Sequence, residues 1–192
     1  GQKYKVKNIT INSNINFNQL RYKKLDIIKK YIEDVDDLIL LNNHQLNLIY
    51  KNKNLSIKGK GEIQLFDNQV DQIKYLINKK DKDFNINSEI FLERIFFKEQ
   101  EFLKNFFPQI NKKINFSNQK LKINYNNNNL SLSGYGKFKI DKEFEDIEYF
   151  FNKKENSISF KTNLNIINTK FHIDNINYKK KDKSKMNLKI EG

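Results

Sequence analysis

Asn129-Leu130-Ser131-Leu132-Ser133-Gly134-Tyr135-Gly136-Lys137-Phe138-Lys139-Ile140 alternates apolar and polar residues along its length, and it occurs twice. The other copy is Asn54-Leu55-Ser56-Ile57-Lys58-Gly59-Lys60-Gly61-Glu62-Ile63-Gln64-Leu65, and Leu55 and Leu130, Gly59 and Gly134, Gly61 and Gly136 are each 75 positions apart. Alternation of this kind marks a β-strand with one covered and one wet face. Repetition means that each unit buries its apolar face against its neighbours, which places the chain among strand-based repeat proteins.

The correspondence runs outward from that strand. Arg21 to Tyr50 lies over Phe96 to Tyr125 without a gap, pairing Tyr22 with Phe97, Tyr31 with Phe106 and Leu46 with Leu121. One residue then drops out, and Ile73-Lys74-Tyr75 answers Ile147-Glu148-Tyr149 at an offset of 74. Phe84, Ile86, Ser88, Ile90 and Leu92 look back to Ile9, Ile11, Ser13, Ile15 and Phe17, and forward to Ile158, Phe160, Thr162, Leu164 and Ile166. Residues 1–192 are therefore expected to be one continuous array, with approximate repeats 9–83, 84–157 and a partial 158–192. The chain opens inside a repeat and stops on a strand-like run, as a segment of a longer array would.

Composition narrows the function classes. No run approaches the eighteen or so consecutive apolar residues of a membrane-spanning helix, and no signal peptide is evident. Cysteine is absent, which excludes disulfides and thiolate metal sites. The formal charge of +13 invites an anionic partner, but Lys, Asn and Ile are abundant throughout and the lysines follow the wet faces of the strands. The run Lys179-Lys180-Lys181-Asp182-Lys183 reads as a solvated turn.

In chain order, Lys3 to Tyr22 is an alternating run of one or two strands. Leu25, Ile27, Ile28, Tyr31, Ile32 and Val35 then fall at three- and four-residue spacing, which predicts a short amphipathic helix. Its counterpart, Glu99 to Phe107, is closed by Pro108, the only proline. A short strand at Leu38 to Leu41 and a longer one at Leu46 to Tyr50 are expected next, with Ile114 to Phe116 and Leu121 to Tyr125 as counterparts. Turns at Lys51 to Lys53 and Asn126 to Asn128 make hairpins with the Gly-x-Gly strands. A strand or helical turn at Ile73 to Ile77 follows. The end of the chain, Phe171 to Ile173 with Met186 to Ile190, reads as a plain hairpin cap. The fold class expected is mainly β with a few short helices: about five antiparallel strands and one helix per repeat, in a long, twisted, curled sheet. Strands about 4.8 Å apart would make it on the order of 60 Å long.

The apolar face of that sheet is the candidate site. It comprises Leu46, Leu48, Leu55, Ile57, Ile63 and Leu65, and in the second copy Leu121, Ile123, Leu130, Leu132, Phe138 and Ile140. Gly59, Gly61, Gly134 and Gly136 interrupt it at one level, where glycine permits a bend or close approach. Two readings of the glycines stand: they let the sheet curl, or they also leave room for an acyl chain along a groove floor. Each buried methylene is worth about 0.8 kcal/mol, so such a groove rivals a bilayer for a lipid chain.

Tandem alternating strands with a Gly-x-Gly kink and a helical or loop segment resemble the AsmA-like family, the TamB- and YhdP-type repeating β-groove proteins. The resemblance implies carriage of phospholipid along the groove between inner and outer membranes, in the periplasm. It also implies attachment to the inner membrane through an anchor outside this segment. The partners it implies are phospholipid acyl chains and neighbouring repeats of the same chain.

No enzyme, metal or cofactor is expected. His44 answers to Gln119 and His172 to Lys98, so the two histidines are unmatched and read as solvated turn or strand residues. The acidic groups Asp34, Asp36, Asp37 and Glu143, Glu145, Asp146, Glu148 lack metal-loop spacing and read as charges on turns or helix ends; Asp71 is the counterpart of Glu145. The alternative to a lipid groove is a structural or surface β-repeat rod with a dry core. Nucleic acid is not an expected partner, because the aromatic residues interleave with apolar ones on the covered face and do not stand among lysines.

Overall fold

The computed structural model describes residues 9–23, 32–98, 100–110 and 113–192. The strands are β1 (Thr10–Lys23), β2 (Leu38–Lys51), β3 (Asn54–Phe66), β4 (Gln69–Lys80), β5 (Asp83–Lys98), β6 (Lys113–Asn126), β7 (Asn129–Lys139), β8 (Glu145–Lys154), β9 (Ser157–Ile166), β10 (His172–Ile173), β11 (Tyr178–Lys179) and β12 (Met186–Glu191). Ten of them form one open antiparallel sheet in the order β1-β2-β3-β4-β5-β6-β7-β8-β9-β12, while β10 and β11 make a separate ribbon. The chain is mainly β, as the alternation predicts. Nine inter-strand spacings of about 4.8 Å make the sheet roughly 43 Å across, shorter than expected. The first alternating run is a single strand from Thr10 onward, its residues 3–8 lying outside the described residues, and Ile73 to Ile77 is strand within β4.

Turn chemistry explains the meander. Asn52 and Lys53 take φ of 50° and 66°, and Asn127 and Asn128 take 43° and 76°, so both hairpins turn on two left-handed residues, the geometry that matches strand twist. Asn tolerates this conformation better than most side chains.

Three expectations need correction. The short and long strands expected at 38–50 and 114–125 are one continuous strand in each place, β2 and β6, so the sheet has four strands over 38–98 (β2 to β5) and four over 113–166 (β6 to β9), and not five in each. They look separate in sequence because a β-bulge breaks the alternation. The register shifts between Asn42 and Gln45 in one copy and between Ser117 and Lys120 in the other, with Asn43 and Asn118 left-handed at φ 52° and 51°.

The second correction concerns the helices: among the described residues there is no α-helix. Leu25, Ile27, Ile28 and Tyr31 lie outside the described residues, as does Glu99, whereas Ile32 bridges to Phe97 and Val35 is buried without helical structure. In the second copy a 3-10 helix spans only Glu101–Asn105, cut short by the following turn and Pro108. No helix of the described residues is long and apolar enough to cross a membrane. Third, Met186–Glu191 does not pair with residues 171–173. It adds to the sheet edge on β9, and His172–Ile173 pairs with Tyr178–Lys179.

Candidate functional site: an apolar sheet face with filled glycine notches

The register sets one series of mainly apolar side chains on one face, with Lys79, Ser88 and Lys153 as polar members of the same rows. On adjacent strands Ile15 lies beside Leu46, Leu46 beside Gly59, and Gly59 beside Tyr75. Farther along, Ile86 pairs with Tyr125, Tyr125 with Leu130, Leu132 with Phe151 and Phe151 with Phe160. A period of two in each strand and an antiparallel ladder are sufficient to make such a face.

The glycines do not leave a gap in it. A Cβ built on Gly59 would lie 2.3 Å from the ring of Tyr75, and one on Gly134 would lie 2.6 Å from that of Tyr149. At Gly61 the obstacle is the His44 ring at 2.3 Å, and at Gly136 it is the amide of Gln119 at 2.3 Å. None of these four glycines has positive φ, so the requirement is space and not backbone freedom. Each Gly-x-Gly pair is a double notch, holding a tyrosine from the next strand and a polar side chain from the previous one. The reading in which the glycines make room for a lipid chain is therefore corrected.

The two polar side chains do the same work with different chemistry. His44 is 1% exposed, and its Nε2 lies 3.0 Å from the Glu62 carbonyl, which can only accept, so Nε2 carries the proton. Nδ1 then accepts from the Tyr75 hydroxyl at 3.0 Å. Gln119, also 1% exposed, donates to the Lys137 carbonyl at 2.8 Å and accepts from the Tyr149 hydroxyl at 3.0 Å. Glu62 and Lys137 are 75 positions apart, so donor and acceptor recur in place. His44 is thus a buried structural residue, stacked on Phe17 at 4.9 Å, and not a solvated one. Burial raises the Tyr149 phenol above its ordinary value, and burial followed by repulsion from Tyr22 raises that of Tyr75.

Glu145 and its counterpart Asp71 are corrected in the same sense. Both are buried, near the starts of β8 and β4. Asp71 accepts from the Glu93 amide at 2.8 Å and from Gln69 Nε2 at 2.8 Å, and Glu145 accepts from the Ile167, Asn168 and Thr169 amides. Glu93 and Ile167 are 74 positions apart, as Asp71 and Glu145 are, so each carboxylate accepts from the backbone amide at the matching place on the next strand or just past it, and Glu145 from two more. Burial is the main cause that raises the Asp71 carboxyl above its ordinary 3.8, against the pull of those hydrogen bonds. Lys180 is likewise buried and not solvated, its ammonium donating to the Ile167 carbonyl.

One half of the apolar face is core and the other is open. Phe107, Ile110 and Phe171 share one cluster with Phe138, Ile140, Ile147, Leu164 and Ile166, and Val35 packs with Phe66, Leu92 and Ile95 in another. Of the predicted site residues, Ile63, Phe138 and Ile140 are buried, Leu65 and Leu121 pack against the second cluster, and the four glycines are occupied. Leu46, Leu48, Leu55, Ile57, Ile123, Leu130 and Leu132 are half-buried and lie outside both clusters. Ile11, Ile15, Ile158 and Phe160 carry the same alternation but stand outside the predicted site residues. They are exposed and extend the open band to the flanking strands.

The band follows the hairpin end of the strands from β1 to β9. At eight strand spacings, about 38 Å, by four residues of strand it spans roughly 500 Å² of sheet, most of it apolar, with Ser88 and Lys153 inside it. These features define a class: an open antiparallel sheet with one polar face and one half-covered apolar face. A scan against family models gave no match, and searches of curated proteins and of solved structures found no significant relative.

Proposed function

We propose that the open apolar band binds lipid acyl chains, in a repeating β-groove of the kind the AsmA-like resemblance implies, and passes phospholipid between membranes. The observation that supports this reading is the reach of the band: every strand from β1 to β9 sets an apolar residue on this face, from Ile15 through Ile57, Ile86 and Leu132 to Phe160, and neither core cluster includes these five. An acyl chain of one leaflet is about 15 Å long and spans roughly three strand spacings. About two chains therefore fit end to end. A chain lying on an open face buries about half its surface, which for sixteen carbons at about 0.8 kcal/mol each is roughly 6 kcal/mol. That is enough to hold a lipid and little enough to release it.

The test is native mass spectrometry with lipid extraction of the chain purified under mild conditions from bacterial membranes. Bound phospholipid is expected, and Ile57→Glu with Leu132→Glu should abolish it while circular dichroism stays that of a sheet. Phe138 is unsuitable for this test, since it is 2% exposed and its loss would disturb the core. A folded, lipid-free chain with a protected core would favour the structural rod instead.

A further inference from the structure

The opposite face carries a second candidate site, which stands independently of the lipid reading. Two depressions of about 810 and 830 Å³ lie on the polar side of the sheet and share Lys74, Glu89 and Lys122 in their linings. Together they make a trough crossing the strands from β1 to β9, roughly 38 Å at eight spacings. Six lysines line it against two glutamates, Glu89 and Glu148. Glu89 sits 3.8 Å from Lys122, a pair exposed enough to be weak.

Three large aromatic residues stand in this polar trough: Phe91 at 38% exposure, Tyr135 at 52% and Phe150 at 43%. They alternate with lysines across the ladder. Phe91 pairs with Lys120, Lys120 with Tyr135, and on the neighbouring row Phe150 pairs with Lys161. The Lys120 ammonium lies 5.6 Å from the Tyr135 ring centroid. Aromatics confined to the apolar face would argue against nucleic acid, but these three stand on the opposite face among lysines.

We propose that this trough binds single-stranded nucleic acid, with bases stacked on Phe91, Tyr135 and Phe150 and phosphates against Lys74, Lys120, Lys122 and Lys161. The excess of lysine selects a polyanion, and the length of the trough selects a linear one. Exposed ring faces serve unpaired bases, whereas a duplex keeps its bases stacked on each other.

The experiment is fluorescence anisotropy of the whole chain with a labelled oligothymidylate of about 20 nucleotides, between about 50 and 200 mM salt. With four phosphates neutralised, log K is expected to fall against log salt with a slope of about −2.8, and Lys120→Gln with Lys122→Gln should halve that slope. Tyr135→Ala should weaken binding about 5- to 150-fold without changing the slope, and Tyr135→Phe should restore it. Heparin, a polyanion without bases, is the second probe. No binding of the oligonucleotide at low salt overturns the proposal. So does a Tyr135→Ala variant, folded by circular dichroism, that binds oligonucleotide and heparin as the parent does, since the face would then recognise charge alone.

Discussion

Replacing Gly59 by alanine distinguishes a filled notch from an empty one. In a strand interior alanine is normally better than glycine by about 0.5–1 kcal/mol, because glycine gives up more backbone freedom on folding. Here the new methyl would lie 2.3 Å from Cζ of Tyr75, far inside van der Waals contact, so the ring must leave the notch or the strands must part. Overpacking of this kind costs about 1–3 kcal/mol. Displacing the ring also breaks the Tyr75 hydroxyl bond to His44 Nδ1, for about 1 kcal/mol more. The single variant should therefore be destabilised by roughly 1–3 kcal/mol, about 2–12 °C in Tm for a chain of this size. In a Tyr75→Ala background the obstacle is gone, and Gly59→Ala should be neutral or stabilising by up to about 1 kcal/mol. The double-mutant cycle, read by urea unfolding followed by far-UV circular dichroism, is expected to give a coupling of about 1–4 kcal/mol. Additive effects, or a stabilised Gly59→Ala single variant, would refute the argument that Tyr75 fills the notch.

The remaining predictions use the same repeated network. His44→Gln should be tolerated far better than His44→Leu, because glutamine at the matching position 119 already supplies one donor and one acceptor, whereas leucine strands the Glu62 carbonyl and the Tyr75 hydroxyl at about 1–3 kcal/mol each; thermal unfolding of the two variants decides it. Glu145→Leu, which removes the acceptor for three backbone amides, should destabilise the chain by about 2–5 kcal/mol and raise hydrogen exchange at Ile167 to Thr169. For Asp71, the raised carboxyl means that the folded state holds a proton the unfolded state has released. Its contribution to stability is fullest below pH 3.8 and declines as the pH rises from there through the higher folded value. The difference in urea midpoint between the parent and Asp71→Asn should move against the parent as the pH is raised from about 3 to 7; a constant difference would contradict the assignment.

The alternation of Leu130, Leu132, Phe138 and their counterparts was enough by itself to establish strands and the apolar side of each, and the Asn and Lys residues between them were enough to place the two hairpin turns. These are local matters, since a period of two and a left-handed Asn act within a few residues. The internal correspondence also marked the equivalence of His44 with Gln119 and of Asp71 with Glu145. It did not reveal that these four are buried, because burial depends on strands that arrive from elsewhere in the chain. A histidine among asparagines looks solvated until Gly61 is laid against its ring and Tyr75 against its nitrogen. The bulges in β2 and β6 hid single strands for a related reason: one extra residue reverses the alternation without ending the ladder.

Tertiary structure alone decided which half of the apolar face is covered. Phe107, Ile110 and Phe171 reach Phe138 and Ile147 from loops distant in sequence, while neither core cluster includes Ile57 or Leu132. It also decided that Phe91, Tyr135 and Phe150 stand together, since they come from three strands and share a face only through the pairing register. A sequence can specify the side of its own strand on which a residue falls, but proximity between strands is created only when the ladder closes.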